Sequence, residues 1–198
     1  MAGNAVIYTL PDSGYSIKGI FSSEQDNIVY KFIYAENNSQ GRLYYIDINN
    51  NPTAIISTIA KSENGECNGL TMTSTAYDEF IFTNGVDAYS ISFARNPQVK
   101  AISTESERKQ DYLGYDIKFL AMAVWNGRLV VATDYGVRAS HDNDIYTWND
   151  NPTTEAMSWY IDYTEKVTAL YAYTGGLFIF TDDNTDFLSG NPLSSSSV

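Results

Sequence analysis

The sequence predicts an all-β protein, and three observations carry that reading. Among 198 residues there are 16 Tyr, 9 Phe and 3 Trp, set beside many Val, Ile and Thr, the side chains that fit a pleated, half-buried surface. Apolar spacing at i, i+3 and i+4 is not sustained anywhere, so no helix longer than one turn is expected, and that turn only within 103–114. The chain also repeats itself. An apolar strand, a tight polar turn, a strongly apolar strand, a second turn and an alternating strand recur about every 40 to 50 residues.

The clearest unit is "KFLAMAVWNGRLVVATDYGVRAS", residues 118–140. Asn126-Gly127 is a hairpin turn signal, because both residue types accept positive φ. Leu129, Val130, Val131 and Ala132 then form a continuous apolar run, the mark of a strand covered on both faces. Val137 and Ala139 alternate with Arg138 and Ser140, which predicts a half-exposed strand. In "VTALYAYTGGLFIFTDDNTDFLSG" (167–190), Gly175-Gly176 replaces the Asn-Gly turn, and Leu177 follows Leu129 by 48 residues. In "GLTMTSTAYDEFIFTNGVDAYSIS" (69–92), Phe80 precedes Leu129 by 49 residues. The most divergent unit comes first, at 17–48, and ends in "GRLYYIDI".

A spacing of 40 to 50 residues is that of propeller blades. The expectation is a single domain over 1–198, β-propeller-like, with about four blade-like antiparallel units at 17–60, 69–102, 117–165 and 167–190. Residues 191–198, rich in Ser with one Pro, are read as a flexible tail. Propellers close with four to eight four-stranded blades, and here the fourth unit ends after two or three strands. The fold is therefore expected to be incomplete or part of a larger protein, with edges that need a partner, and a homo-oligomer follows.

With 43% hydrophobic and only 18% charged residues, the chain has the composition of a folded core. A net charge of −12 and the lack of a basic cluster argue against a protein that grips nucleic acid, which requires Lys and Arg to displace phosphate counterions. Cys67 is the sole cysteine, which excludes an intrachain disulfide and a cysteine zinc cluster. The N-terminal "MAGNAVIYTLPDSGY" lacks the basic and apolar segments of a signal peptide, and "FLAMAVW" (119–125) is too short to cross a bilayer as a helix. A soluble product made in the cytoplasm, with no membrane partner, is expected. Asn37-Asn38-Ser39, a glycosylation sequon, is then read as a turn.

Candidate chemistry is sparse. Ser140, His141 and Asp142 hold the only histidine, but neighbours in extended chain point to opposite faces, and no G-x-S-x-G elbow surrounds the serine. They are read as a turn, and no catalytic residue is assigned. Asp182, Asn184 and Asp186 alternate like the start of a calcium loop, yet Phe187 stands where the bend needs glycine and no bidentate Glu follows. They are kept as a Ca2+ candidate; Asp47, Asn49 and Asn51, and the shorter Asp142-Asn143-Asp144, are equally incomplete. No other cofactor is expected. Trp125, Trp148 and Trp159 are read as packing in preference to a sugar-binding platform.

The segment "VWNGRLVVATDYGVRASHDNDIYTW" resembles a recurring stretch in tail hub and nozzle proteins of short-tailed bacteriophages: a "GRL" strand after a hairpin, a "G-V-x-A-S" strand and a closing "D-x-x-x-W". The resemblance spans 115–148, about a sixth of the chain, and its matching residues are Asn126, Gly127, Arg128, Leu129, Gly136, Val137, Ala139, Ser140, Asp144 and Trp148. The resemblance implies a propeller-like virion protein, forming a ring below the portal and adaptor around the channel for DNA. DNA would then be cargo that passes without specific contact, and an acidic lumen would keep it from sticking. The matched residues would be structural: Asn126 and Gly127 in the turn, Leu129 in the blade core, Arg128 reaching an acidic neighbour or partner, Trp148 across the blade end. Full-length nozzle proteins are several times longer than this chain. The rival expectation is a stand-alone glycan-binding β module.

Overall fold

The computed structural model describes residues 9–62, 66–73, 78–102, 117–133, 136–148 and 158–190. All regular structure in them is antiparallel β, in four sheets that each follow chain order. Sheet 1 contains β1 (Ser16–Gln25), β2 (Ile28–Glu36), β3 (Gly41–Ile46) and β4 (Pro52–Ile59). Sheet 2 contains β5 (Asn68–Thr73), β6 (Asp78–Thr83), β7 (Ala88–Ser92) and β8 (Val99–Ala101). Sheet 3 contains β9 (Ala121–Trp125), β10 (Arg128–Thr133), β11 (Gly136–Ala139) and β12 (Trp159–Asp162). Sheet 4 has three strands, β13 (Val167–Tyr173), β14 (Gly176–Thr181) and β15 (Thr185–Leu188). The one-turn helix expected within 103–114 and the tail 191–198 lie outside the described residues.

Turn chemistry sets each meander. Asn126 and Gly127 have φ of 49° and 73°, so both central residues of the β9–β10 hairpin are left-handed, and Arg128 pairs with Trp125. Asp26 and Asn27, at 49° and 61°, make the same kind of turn between β1 and β2. At Asn37 the side-chain Oδ1 accepts from the N–H groups of Ser39 (2.8 Å) and Gln40 (2.9 Å), an Asx turn that explains the Asn-Asn-Ser sequence by local hydrogen bonding.

The strand period of two gives each sheet two faces, and the sheets pack in series. Phe32 and Tyr34 of sheet 1 face Phe80 and Phe82 of sheet 2, with the Phe32 and Phe80 rings stacked 4.3 Å apart. Met72, Ile81 and Ala88 on the other side of sheet 2 meet Leu129 and Val131 of sheet 3. Val130, Ala132, Val137 and Ala139 on the reverse of sheet 3 meet Leu177 and Ile179 of sheet 4. The first strands touch in the same order: β1 on β5, β5 on β9, β9 on β13. Polar ties reinforce the seams. Thr83 Oγ1 donates to the Phe119 carbonyl at 2.9 Å, and the Ser23 and Thr71 hydroxyls share a hydrogen bond between β1 and β5.

Candidate functional site

The Ser140-His141-Asp142 run closes a folded loop at the end of β11. Ser140 is fully buried; its hydroxyl donates to the His141 carbonyl and accepts from the Leu129 N–H, both at 3.1 Å. The His141 ring meets the Asp142 carbonyl, with Nδ1 at 2.9 Å. The serine proton is thus committed to a backbone oxygen and the hydroxyl is out of solvent, whereas a nucleophile needs an imidazole on one side and substrate on the other.

The rest of this loop is a cap on the Asn126-Gly127 turn. Asn143, at φ 51°, donates its N–H to the Gly127 carbonyl at 3.0 Å. Asp144 accepts from the Tyr146 N–H at 2.9 Å and from the Thr147 hydroxyl at 2.7 Å. Trp148 is buried, donates from Nε1 to the Ile145 carbonyl at 2.8 Å, and sets its ring edge-on to Phe119. The Asp and Trp of the "D-x-x-x-W" pattern therefore act on backbone and core.

Two arginines are buried. Arg128 is buried, and its guanidinium donates to the Ser140 carbonyl at 2.7 Å, so it turns inward to loop backbone. Arg138 was expected on a half-exposed strand, but every residue of β11 is buried. It donates to the carbonyls of Val137 (3.1 Å) and Ile161 (3.3 Å) and pairs with Asp162 at 2.8 Å. The alternation Val-Arg-Ala-Ser is that of a half-wet strand, yet β11 has β10 and β12 on its two edges and carbonyls within reach of the long side chain.

The calcium candidates are dispersed. Asp182 and Asp183 occupy the exposed β14–β15 turn, closed by Thr181 N–H to the Asn184 carbonyl at 2.9 Å. Asp186 lies within β15 opposite Ile179 and bonds to Tyr163, whose hydroxyl is pushed up to about 12 by burial and then by that carboxylate. Tyr163, Thr164, Glu165, Thr181, Asn184 and Asp186 line a cleft of about 200 Å³, which lacks Asp182. The Asp47 carboxylate is occupied by its own loop, accepting from the N–H groups of Asn49 (2.9 Å) and Asn51 (2.8 Å), which hold its pKa below the usual value. Among the described residues, no three His, Cys, Asp or Glu side chains are grouped to hold a metal ion.

Two features escaped the sequence reading. One is a buried carboxylate, Glu36, whose Oε1 accepts from Tyr34 Oη (2.7 Å), Ser62 N (2.9 Å) and Ser62 Oγ (2.5 Å), while Oε2 is buried without a partner. Asn84 extends this network to sheet 2, donating to Tyr34 Oη at 2.9 Å and to the Ala60 carbonyl at 2.6 Å. Burial pushes the Glu36 carboxyl up, but the bonds from Ser62 and Tyr34 outweigh it and hold the group below its ordinary value. The other feature is an exposed aromatic face on sheet 4. Tyr171, Tyr173 and Phe187 are 61%, 45% and 48% exposed, and the Phe178 ring lies 5.7 Å from Tyr173 and 5.0 Å from Phe187. The tryptophans Trp125, Trp148 and Trp159 are all core.

No family model and no curated protein matches the chain. Among solved structures, the crystal structure of the computationally designed Ika4 protein aligns with a TM-score of 0.54 over 94% of this chain and 99% of that one, at 11% identity. At that identity the likeness is one of fold. It agrees with an all-β chain of four antiparallel sheets.

Proposed function

We propose that this chain is a structural tail protein of a short-tailed bacteriophage, a propeller-like hub or nozzle component that assembles into a ring around the DNA-ejection channel. The observation that carries the reading is the open series of sheets. Three seams are buried, whereas the outer face of sheet 4 presents Tyr171, Tyr173 and Phe187 to solvent. Blade-like sheets that end in an apolar face are units of a larger assembly, because contiguous exposed apolar surface is rare on soluble monomers. The first strands, touching in succession, support an arc of propeller blades. The resemblance over 115–148 supplies the phage tail, with portal-adaptor or other tail proteins as further partners.

The reading assigns the chain no catalytic step and no cofactor. It gives the −12 net charge a use, since acidic surface along a channel lets DNA pass without adhesion. Light scattering over a concentration series, with electron microscopy of the peak fraction, tests it. A discrete ring-sized mass is expected, with no retardation of duplex DNA at about 150 mM salt. A monomer at every concentration, alone and with a tail-adaptor protein, would overturn it.

One observation favours a second reading, a glycan-binding module. Tyr171 and Tyr173 are exposed on one sheet face, where rings can stack on sugars. Retention on immobilised polysaccharide, lost in Tyr171→Ala, would support that function instead.

A further inference from the structure

The three internal seams obey one packing rule. In each, the forward face of one sheet, the face turned toward the next sheet in the chain, meets the backward face of its successor. Phe80 of β6, Leu129 of β10 and Leu177 of β14 all point backward, and their neighbours Ile81, Val130 and Phe178 point forward. Two faces are left over by this rule, the forward face of sheet 4 and the backward face of sheet 1.

Both retain exposed apolar side chains. Sheet 4 offers Tyr171, Phe178 and Phe187, opposite one another across its three strands. Sheet 1 has its β3 side covered by Leu10 and Tyr15, which pack with Ile33, Tyr44 and Ile46. Among the described residues its β1 side is uncovered: Ile20, which pairs with Ile33 and so shares its face, is 63% exposed, and Ile17 is 44% exposed. The charges agree as well. The exposed Asp182 and Asp183 sit at the end of sheet 4 where β13 begins, because Val167 pairs with Thr181. Lys18 and Lys61 line a cleft with Glu36 at the end of sheet 1 where β1 begins.

We infer that the forward face of sheet 4 docks on the β1 side of sheet 1 in a second copy of this chain, head to tail. The contact continues the seam that the chain makes three times internally, with rings from sheet 4 over Ile17 and Ile20, and the Asp182-Asp183 turn near Lys18. Such a contact is heterologous: each copy uses one face and leaves the other open, which yields a ring where the rotation closes. This inference rests on the assembly reading and names the surface that performs it.

The test uses two variants at exposed positions, Tyr171→Glu/Phe187→Glu on sheet 4 and Ile17→Glu/Ile20→Glu on sheet 1. Far-ultraviolet circular dichroism and melting confirm that each retains the fold. Light scattering is expected to give an oligomer for the unaltered chain and a monomer for each variant alone. Mixed in equal amounts, the variants are expected to form a dimer of twice the monomer mass and nothing larger, since each carries one intact face. If the sheet 1 variant still dimerises alone while the sheet 4 variant does not, the contact is sheet 4 on sheet 4 and the inference fails. If both variants assemble like the unaltered chain, the surface is wrong and the assembly reading stands. If the unaltered chain stays monomeric and binds an immobilised glucan through Tyr171, both fail and the face belongs to a glycan.

Discussion

Sheets 3 and 4 are built from similar sequence, "GRLVVATD" and "GGLFIFTD", yet β10 in the first is buried throughout and β14 in the second on one face. Every residue of β10 and β11 is buried, while β14 alternates and β13 keeps Tyr171 and Tyr173 in water. The difference is position: among the described residues, sheet 3 has a neighbour on both faces and sheet 4 on one. Side-chain size adds a second lesson. The forward face of sheet 3 uses Val130 and Ala132, small enough for close approach of sheet 4, whereas the same positions in sheet 4 hold Phe178 and Phe180. Large rings left exposed on such a face favour association, since burying each ring is worth a few kcal/mol.

The sharpest way to break this comparison is to truncate a ring on each kind of face. Phe80 lies inside the first seam, stacked on Phe32 and fully buried. Phe80→Ala is expected to destabilise the chain by about 3–5 kcal/mol, the usual loss for a large aromatic removed from a packed core. Urea titration followed by tryptophan fluorescence measures it. A loss no larger than that of a surface substitution would mean the sheets do not pack in series.

Next in size is Gly136→Ala. Gly136 opens β11 at φ 124°, and a Cβ there would overlap the Ile161 carbonyl oxygen, which is backbone and has nowhere to move. Combined dihedral strain and steric overlap are expected to cost about 2–3 kcal/mol, seen as a lower melting temperature. Gly85, with φ 83° but only a distant Leu120 methyl near its Cβ position, serves as the control with the smaller loss.

Glu36→Gln sharpens the comparison through pH. The folded carboxyl holds its proton less tightly than the unfolded one, so the folded state binds fewer protons. Its stabilisation is complete above the ordinary value of 4.5 and is lost as pH falls through the lower folded value. The unaltered chain is therefore expected to lose stability on acidification through that window by more than Glu36→Gln does. At neutral pH the variant is expected to be weaker by about 1 kcal/mol, because the bonds from Ser62 and Tyr34 lose their charge. Parallel acid titrations with the same slope would rule this out.

Much of the architecture was legible, and the reason is local. Asn126-Gly127 declares a turn whatever surrounds it, and Phe80, Leu129 and Leu177 mark strands by run length and spacing. Alternation also shows which residues share a face, as with Phe178 and Phe180. It does not show whether another sheet covers that face, so Arg138 reads as half-exposed from its sequence although β11 is buried, and nothing in the alternation marks the sheet 4 rings as the exposed ones. The Glu36 network was illegible for a related reason. Its members, residues 34, 36, 62 and 84, come from β2, the segment after β4 and the β6–β7 turn, and only the assembled chain brings Ser62 to the carboxylate. His141 was read as turn chemistry by its neighbours, and the buried hydroxyl of Ser140 follows from a loop folding onto Gly127.

The smallest expected effect is the most telling for the end face. Tyr171 is exposed, and its removal exposes no cavity, so Tyr171→Ala is expected to change the unfolding free energy of the dilute monomer by less than about 0.5 kcal/mol. Held against the loss at Phe80, that near-silence separates a ring kept for the fold from a ring kept for a contact. The same substitution, examined at high protein concentration, is expected to lower the apparent melting temperature relative to the unaltered chain, because association stabilises the folded state by mass action. A Tyr171→Ala deficit that is equal at low and high concentration would instead place the side chain in the fold of the single chain, and the contrast between sheets 3 and 4 would then be one of degree.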